Sequence, residues 1–253
     1  MNNYIKNKKK EKMLILFLQI SILIITIILW QYLSDNNYIN SFILSSPKRI
    51  IKTIINLHKQ NNLLIHVFTT IYEVILSFII TSIFSLVISI ILYYYKTLSK
   101  VLEPYLTILN SIPKVALGPL IIICFGNGYK SIIIMGILIS IIVSIQNIYN
   151  AFKQTNEIKI KLLKTFNANK KDILLYLVIP SNKINILSTL KINISMCLIG
   201  VITGEFLASK QGIGYLILYG MQVFNLDLVM SGLFILIIIS LLIYKIINTI
   251  IKE

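Results

Sequence analysis

The chain has 253 residues, of which 57% are hydrophobic and 13% charged, with a mean hydropathy of +0.84. That is too little charge to clothe a soluble domain of this length, and apolar runs of roughly 18 residues or more recur, each able to cross a hydrocarbon core as a helix. The net charge of +15 does not point to nucleic acid, because no continuous basic face carries interleaved aromatics; the fold class expected is all-α, a polytopic membrane protein.

In chain order, residues 1–13 form a basic tail with Lys6, Lys8, Lys9, Lys10 and Lys12. The apolar run 14–33 that follows is too long for a signal-peptide core and lacks a small-x-small cleavage site. It reads as a retained span, with Trp30 and Tyr32 at the interface. Ser46-Pro47 looks like a helix start, and Ile50, Ile51, Ile54, Ile55 and Leu57 then recur at helical spacing. An amphipathic helix lying on the membrane surface is expected there. Further spans are expected at about 65–93, 103–125, 130–150, 184–207 and 227–250, making six. The third is interrupted at Ile112-Pro113 and Gly118-Pro119. Proline removes a backbone donor, and freed carbonyls at membrane depth are tolerated only inside protein or along a watery path. The third span is thus a candidate pathway helix, with a simple packing kink as the other reading.

Between the fourth and fifth spans lies a polar island, residues 151–182. It carries Lys153, Lys159, Lys161, Lys164, Lys170 and Lys171 against only Glu157 and Asp172, yet keeps helical periodicity. Basic residues gather on the side of the amino terminus, the island and the carboxyl terminus. The positive-inside rule then puts both termini and the island in the cytoplasm of a multi-pass protein of the plasma (cytoplasmic) membrane.

Chemistry-bearing motifs are missing. There is no phosphate-binding GxxxxGK[ST] loop, and Gly126-x-Gly128 and Gly212-x-Gly214 lack the third glycine of a dinucleotide fingerprint. Cys124 and Cys197 fall inside apolar runs without metal spacing, and His58 and His66 are expected as solvated or interfacial side chains. No catalysis, metal or cofactor is expected. Lys114 and Lys191 lie inside spans, where a charge is expensive. Each either snorkels to the interface or faces a central path and attracts an anionic solute.

Three stretches together resemble the transmembrane permease subunit of ABC importers, in the nitrate, sulfonate and taurine group. They are SIPKVALGPLIIICFGNG at 111–128, the island with Asn167 followed by Val178-Ile179-Pro180, and GEFLASKQGIGYLI at 204–217 followed by QVFNLDL at 222–228. The family carries in its cytoplasmic loop an acidic residue, two alanines and, further on, a glycine. Here Lys161, Leu162, Leu163 and Asn167 stand at those positions. The resemblance implies a helix that docks on an ATP-hydrolysing subunit, with Phe166 and Pro180 belonging to the same coupling element. It implies a single permease domain over 14–253, pairing with a second permease subunit, a copy of itself, in membrane lipid. An extracytoplasmic binding protein would deliver the solute. Pro113, Lys114, Gly118, Pro119, Lys191, Gly204, Glu205, Gly212 and Gly214 are the candidates for the path or its gate. Glu205 either serves structure at the turn or meets the binding protein. Glu73 stands where many relatives carry an arginine. The group favours a small oxyanion or sulfonate as solute; a pyrimidine vitamin precursor moved by the same machinery and an ion-coupled secondary transporter are the alternatives.

Overall fold

The computed structural model describes residues 2–40, 44–60 and 62–250. Residues 251–253 and the side chains of Lys6, Lys9, Lys10 and Lys12, all invoked above, lie outside the described residues. Among the described residues the regular structure is helical. In a bilayer a helix satisfies its own backbone, so runs rich in Ile and Val form helices despite their β preference.

The elements in order are α1 (Asn2–Asp35), α2 (Pro47–Lys59), α3 (Asn62–Tyr94), α4 (Lys96–Ser111), a 3-10 turn (Lys114–Leu117), α5 (Gly118–Phe125) and α6 (Tyr129–Lys153). Then come α7 (Glu157–Thr165), α8 (Lys170–Ile173), a π turn (Leu174–Val178), α9 (Ile179–Ser181), α10 (Lys183–Ala208), α11 (Ile213–Gln222) and α12 (Leu226–Ile250). Among the described residues five stretches are long and apolar enough to cross a membrane, 13–35, 63–94, 129–153, 183–208 and 226–249, and the bent pair 96–111 with 114–125 makes a sixth if it is one broken span. The third expected span is not one helix. α4 and the 114–125 segment meet at 87°. Ile112 is extended because the following Pro113 excludes the α region, and the chain restarts only at Lys114.

Internal contacts group the chain into two units, 1–63 with 217–233 and 64–216 with 234–253. In the first unit, Ser46 caps α2 by accepting the Arg49 N–H, with Pro47 at its first turn. The Arg49 guanidinium donates to Asp227 Oδ2 from Nη2 at 2.7 Å and from Nε at 3.0 Å, while Ser45 Oγ donates to Oδ1 at 2.6 Å. These contacts lock the surface helix to the start of α12.

The second unit is built on the crossing of α6 and α10. A methyl group added at Gly200 would sit 2.6 Å from the Gly136 Cα, and one at Gly204 would sit 2.9 Å from the Ile132 Cα. Gly200-x-x-x-Gly204 therefore works as a small-residue seam that lets the two backbones nearly touch. α3 lays a buried polar stripe onto this pair: Thr70, Glu73, Ser77, Thr81, Ser85 and Ser89. Thr81 and Ser140 share a hydrogen bond of 3.0 Å, Ser89 Oγ donates to Ile145 O, and Asn193 Nδ2 donates to Ser82 Oγ at 2.9 Å. Such bonds average about 0.6 kcal/mol each within a membrane, so they fix register more than they add stability. The α6–α10 pair is also tied at both ends. Gly128 N–H donates to Ala208 O at one end, and Asn182 Nδ2 donates to Thr155 Oγ1 at 2.8 Å at the other.

Candidate functional site

The island folds as a compact two-helix element, and local sequence explains each corner. Asn156 begins α7 by accepting the Ile158 N–H at 2.8 Å. α7 ends on Asn167 with φ +59°. Asn167 N–H donates to Lys164 O and Ala168 N–H to Leu163 O, the paired bonds of a left-handed helix stop. Asparagine thus takes at Asn167 the conformation usually left to glycine. Two residues on, Asn169 and Asp172 exchange side-chain-to-backbone bonds of 2.9 and 3.0 Å, a reciprocal cap that starts α8. Pro180 has no N–H to give, and the chain widens into the π turn just before it. The buried Asn182 amide then returns to Thr155 and to Val178 O, tying the two ends of the island together.

α7 has two apolar stripes. Ile160 and Leu163 turn inward and pack against Ile148, Phe152, Ile173, Leu174 and Val178. Ile158, Leu162 and Phe166 point away, with exposures of 76%, 56% and 73%. Lys161 is also exposed. The sequence grouped Leu162 and Leu163 as one docking surface; the structure separates them. At about 100° per residue, positions 158, 162 and 166 share one flank and 160 and 163 the other.

A second cluster surrounds Glu205, which is fully buried. Its carboxylate accepts Thr70 Oγ1–H at 2.6 Å and the Gly214 N–H. Thr70 Oγ1 in turn accepts the Ile213 N–H at 2.8 Å, and His66 Nδ1 accepts the Gly212 N–H at 3.0 Å. His66, expected to be solvated or interfacial, is half-buried and stacked on Tyr215. Gly212 has φ +109°, and a side chain there would collide with the Glu205 carboxylate. The turn 209–214 is thus wrapped around one carboxylate. Glu73, also fully buried, stands beside Glu205, and both its oxygens lack a hydrogen-bond partner among the described residues.

The remaining candidates scatter. Lys114, at the break after α4, donates to Asn110 O and Oδ1 at 3.2 Å. Asn110 Nδ2 also reaches Gln146 Oε1 on α6 at 3.0 Å. Pro113 and Pro119 are exposed, whereas Gly118 is buried against Leu207. Gly204 lies in the helix seam, and Lys191 is half-buried on α10. Among the described residues no contact joins Lys114 to Lys191; Gly118 and Gly204 line one small cavity with Ile121 and Leu207, and Glu205, Gly212 and Gly214 meet at the 209–214 turn. Sequence reasoning missed Thr70, His66, Thr155 and Asn182; only the Asn-x-x-Asp spelling at 169–172 and the GxxxG at 200–204 were readable signals.

The chain thus combines apolar spans, a broken third span and a capped basic loop between α6 and α10, and its similarity to known proteins places it among membrane-transport permeases. Its fold matches the MetNI methionine ABC transporter in inward-facing conformations, with TM-score 0.66 and 16% identity over 77% of this chain and 96% of that one. Residues 81–252 match the family described as binding-protein-dependent transport system inner membrane component, and the chain belongs to that family. A probable ABC transporter permease protein of Haemophilus influenzae is 30% identical over 87% of this chain and 89% of its own length. The formylaminopyrimidine transport permease protein ThiX of Halalkalibacterium halodurans is 25% identical over 79% of this chain and 80% of its own. Permeases of sulfonate, taurine and nitrate systems are also similar, so the chain is an ABC importer permease of that wider group.

Proposed function

We propose that this chain is the translocating subunit of an ATP-driven importer that couples through α7 and carries a small oxyanion or sulfonate. The observation that carries the coupling role is the outward stripe of Ile158, Leu162 and Phe166 on a helix capped at both ends. An apolar stripe on a basic, polar loop calls for a protein partner. In this reading a cytoplasmic ATP-binding subunit covers it, and two copies of the chain enclose the path. Closure of the ATPase pair moves the island as a unit, and rigid-body motion of the spans alternates access. Basic residues on the island and at both termini support a cytoplasmic location for all three in the plasma membrane. The turn around Glu205 then lies on the opposite side, where a solute-binding protein would dock.

Lys114 supports an anionic solute, since it stands at the break in the third span without an acidic partner among the described residues. The similarity to a formylaminopyrimidine permease favours a second reading, a pyrimidine vitamin precursor. Uptake in cells expressing the full importer separates them. Labelled taurine or an alkanesulfonate should accumulate in an ATP-dependent way, and accumulation of formylaminopyrimidine alone favours the second. Proton-driven uptake by this chain without an ATPase subunit refutes both.

A further inference from the structure

Where α3 ends and α4 begins, a cleft of about 190 Å³ opens against α7 and α8. It is lined by Tyr93, Tyr94, Lys96, Ile160, Lys164 and Lys170, with the buried Ile173 as floor. Three ammonium groups share it, and no carboxylate lines it. The acids around it are engaged elsewhere: Asp172, on α8 itself, accepts the Asn169 N–H at 3.0 Å, Glu103 in an adjoining cleft is paired with Lys153 at 3.0 Å, and Glu157 occupies the first turn of α7. Lys170 Nζ sits 5.7 Å from the centre of the Tyr94 ring, a cation–π contact between two residues that line the cleft. Clustered like charges with no internal counter-charge favour an anion. A neighbouring cleft shares Tyr94, Lys96 and Lys170 and continues along Ile91 and Leu98, both exposed apolar side chains. Tyr93, Tyr94 and Tyr95 mark the end of a membrane span, the level at which aromatic rings meet lipid headgroups.

We propose that this cleft holds the phosphate of an anionic phospholipid, with the acyl chains running along Ile91 and the outer face of α3. A soluble phosphate would satisfy the lysines but leave the apolar flank uncovered; a lipid satisfies both. The occupant does not compete with the coupling surface, because Ile160 and Lys164 line the cleft while Ile158, Leu162 and Phe166 face away. The site therefore stands whether or not α7 couples to an ATPase.

The test uses the purified full-length chain in phosphatidylcholine nanodiscs with and without phosphatidylglycerol. Native mass spectrometry counts phosphatidylglycerol retained on extraction. The wild-type chain should keep phosphatidylglycerol in preference to phosphatidylcholine, and Lys96→Gln/Lys170→Gln should bind it roughly 25-fold more weakly, about fivefold per lysine. Lys159→Gln/Lys183→Gln, two exposed lysines outside the cleft, is the control. Equal weakening in both double variants means a diffuse basic surface and overturns the proposal, as does unchanged retention in Lys96→Gln/Lys170→Gln. Displacement of the lipid by glycerol phosphate at equal concentration assigns the cleft to a soluble anion instead. Full lipid retention with loss of ATPase-subunit co-purification assigns it to a protein contact. Circular dichroism of each variant establishes that the helices remain.

Discussion

Leu162 and Leu163 are adjacent, chemically identical and about 100° apart on α7, one exposed and one packed inward, so replacing each by glutamate separates docking from folding. Leu162 is 56% exposed and touches no core cluster, so Leu162→Glu should change stability by no more than about 0.5 kcal/mol, the usual range for a surface substitution. If the Ile158–Leu162–Phe166 stripe is buried by an ATPase subunit, the same change places a charge in an apolar interface. A central contact of that kind is worth about 2 kcal/mol or more, roughly 30-fold in dissociation constant. Leu163 packs on the cluster of Phe152, Leu174 and Val178. Leu163→Glu forfeits part of a leucine burial worth about 1.5–3 kcal/mol in full, and it brings a carboxylate against apolar side chains. Its first effect should be a lower melting temperature. The assay pairs thermal denaturation of the detergent-purified chain with titration of the ATPase subunit and its stimulated hydrolysis. If Leu162→Glu binds the ATPase subunit within twofold of wild type, the docking face is misassigned. If Leu163→Glu melts like wild type yet loses docking as fully, the two-sided description of α7 is wrong.

Glu205→Ala removes acceptors from Thr70 and Gly214 and frees the 209–214 turn, so uptake should fall at least tenfold while the helix content of the chain stays unchanged by circular dichroism. Glu73→Gln introduces an amide donor beside Glu205 where two oxygens now lack partners, and thermal denaturation should show a gain of about 1–3 kcal/mol; a loss of stability would mean that both Glu73 oxygens are already satisfied. Gly200→Val drives a side chain into the Gly136 backbone, and the membrane-extracted chain should aggregate or resist folding, whereas Gly126→Ala, in open space, should alter only its own turn, where φ is +81°.

The spans were legible because each is a long apolar run, and the proline pair at 113 and 119 announced the break in the third. The sharpness of that break was not legible, because 87° depends on where α5 packs as well as on the prolines. The stop of α7 was readable at Asn167, which takes a left-handed φ just after the short helix. The inward packing of Leu163 was not readable, because adjacent apolar letters conceal a turn of about 100° between side chains on a helix. Glu205, Gly212 and Gly214 were singled out from the sequence, but their partners on α3 were not. Thr70 and His66 come from α3 and Gly212 from a turn far along the chain, and no local pattern ties them together.

The paired ties at the two ends of α6 and α10 have a mechanical consequence. The Thr155–Asn182 contact closes one end, Gly128–Ala208 closes the other, and the glycine seam presses the middle. Two antiparallel helices held in this way behave as one stiff beam, about 37 Å long for the 25 residues of α6. A push on the island cannot be absorbed by slack between them. Under the proposed coupling, it would reach the turn around Glu205 as a displacement of the whole beam, by leverage rather than by a chain of side-chain rearrangements.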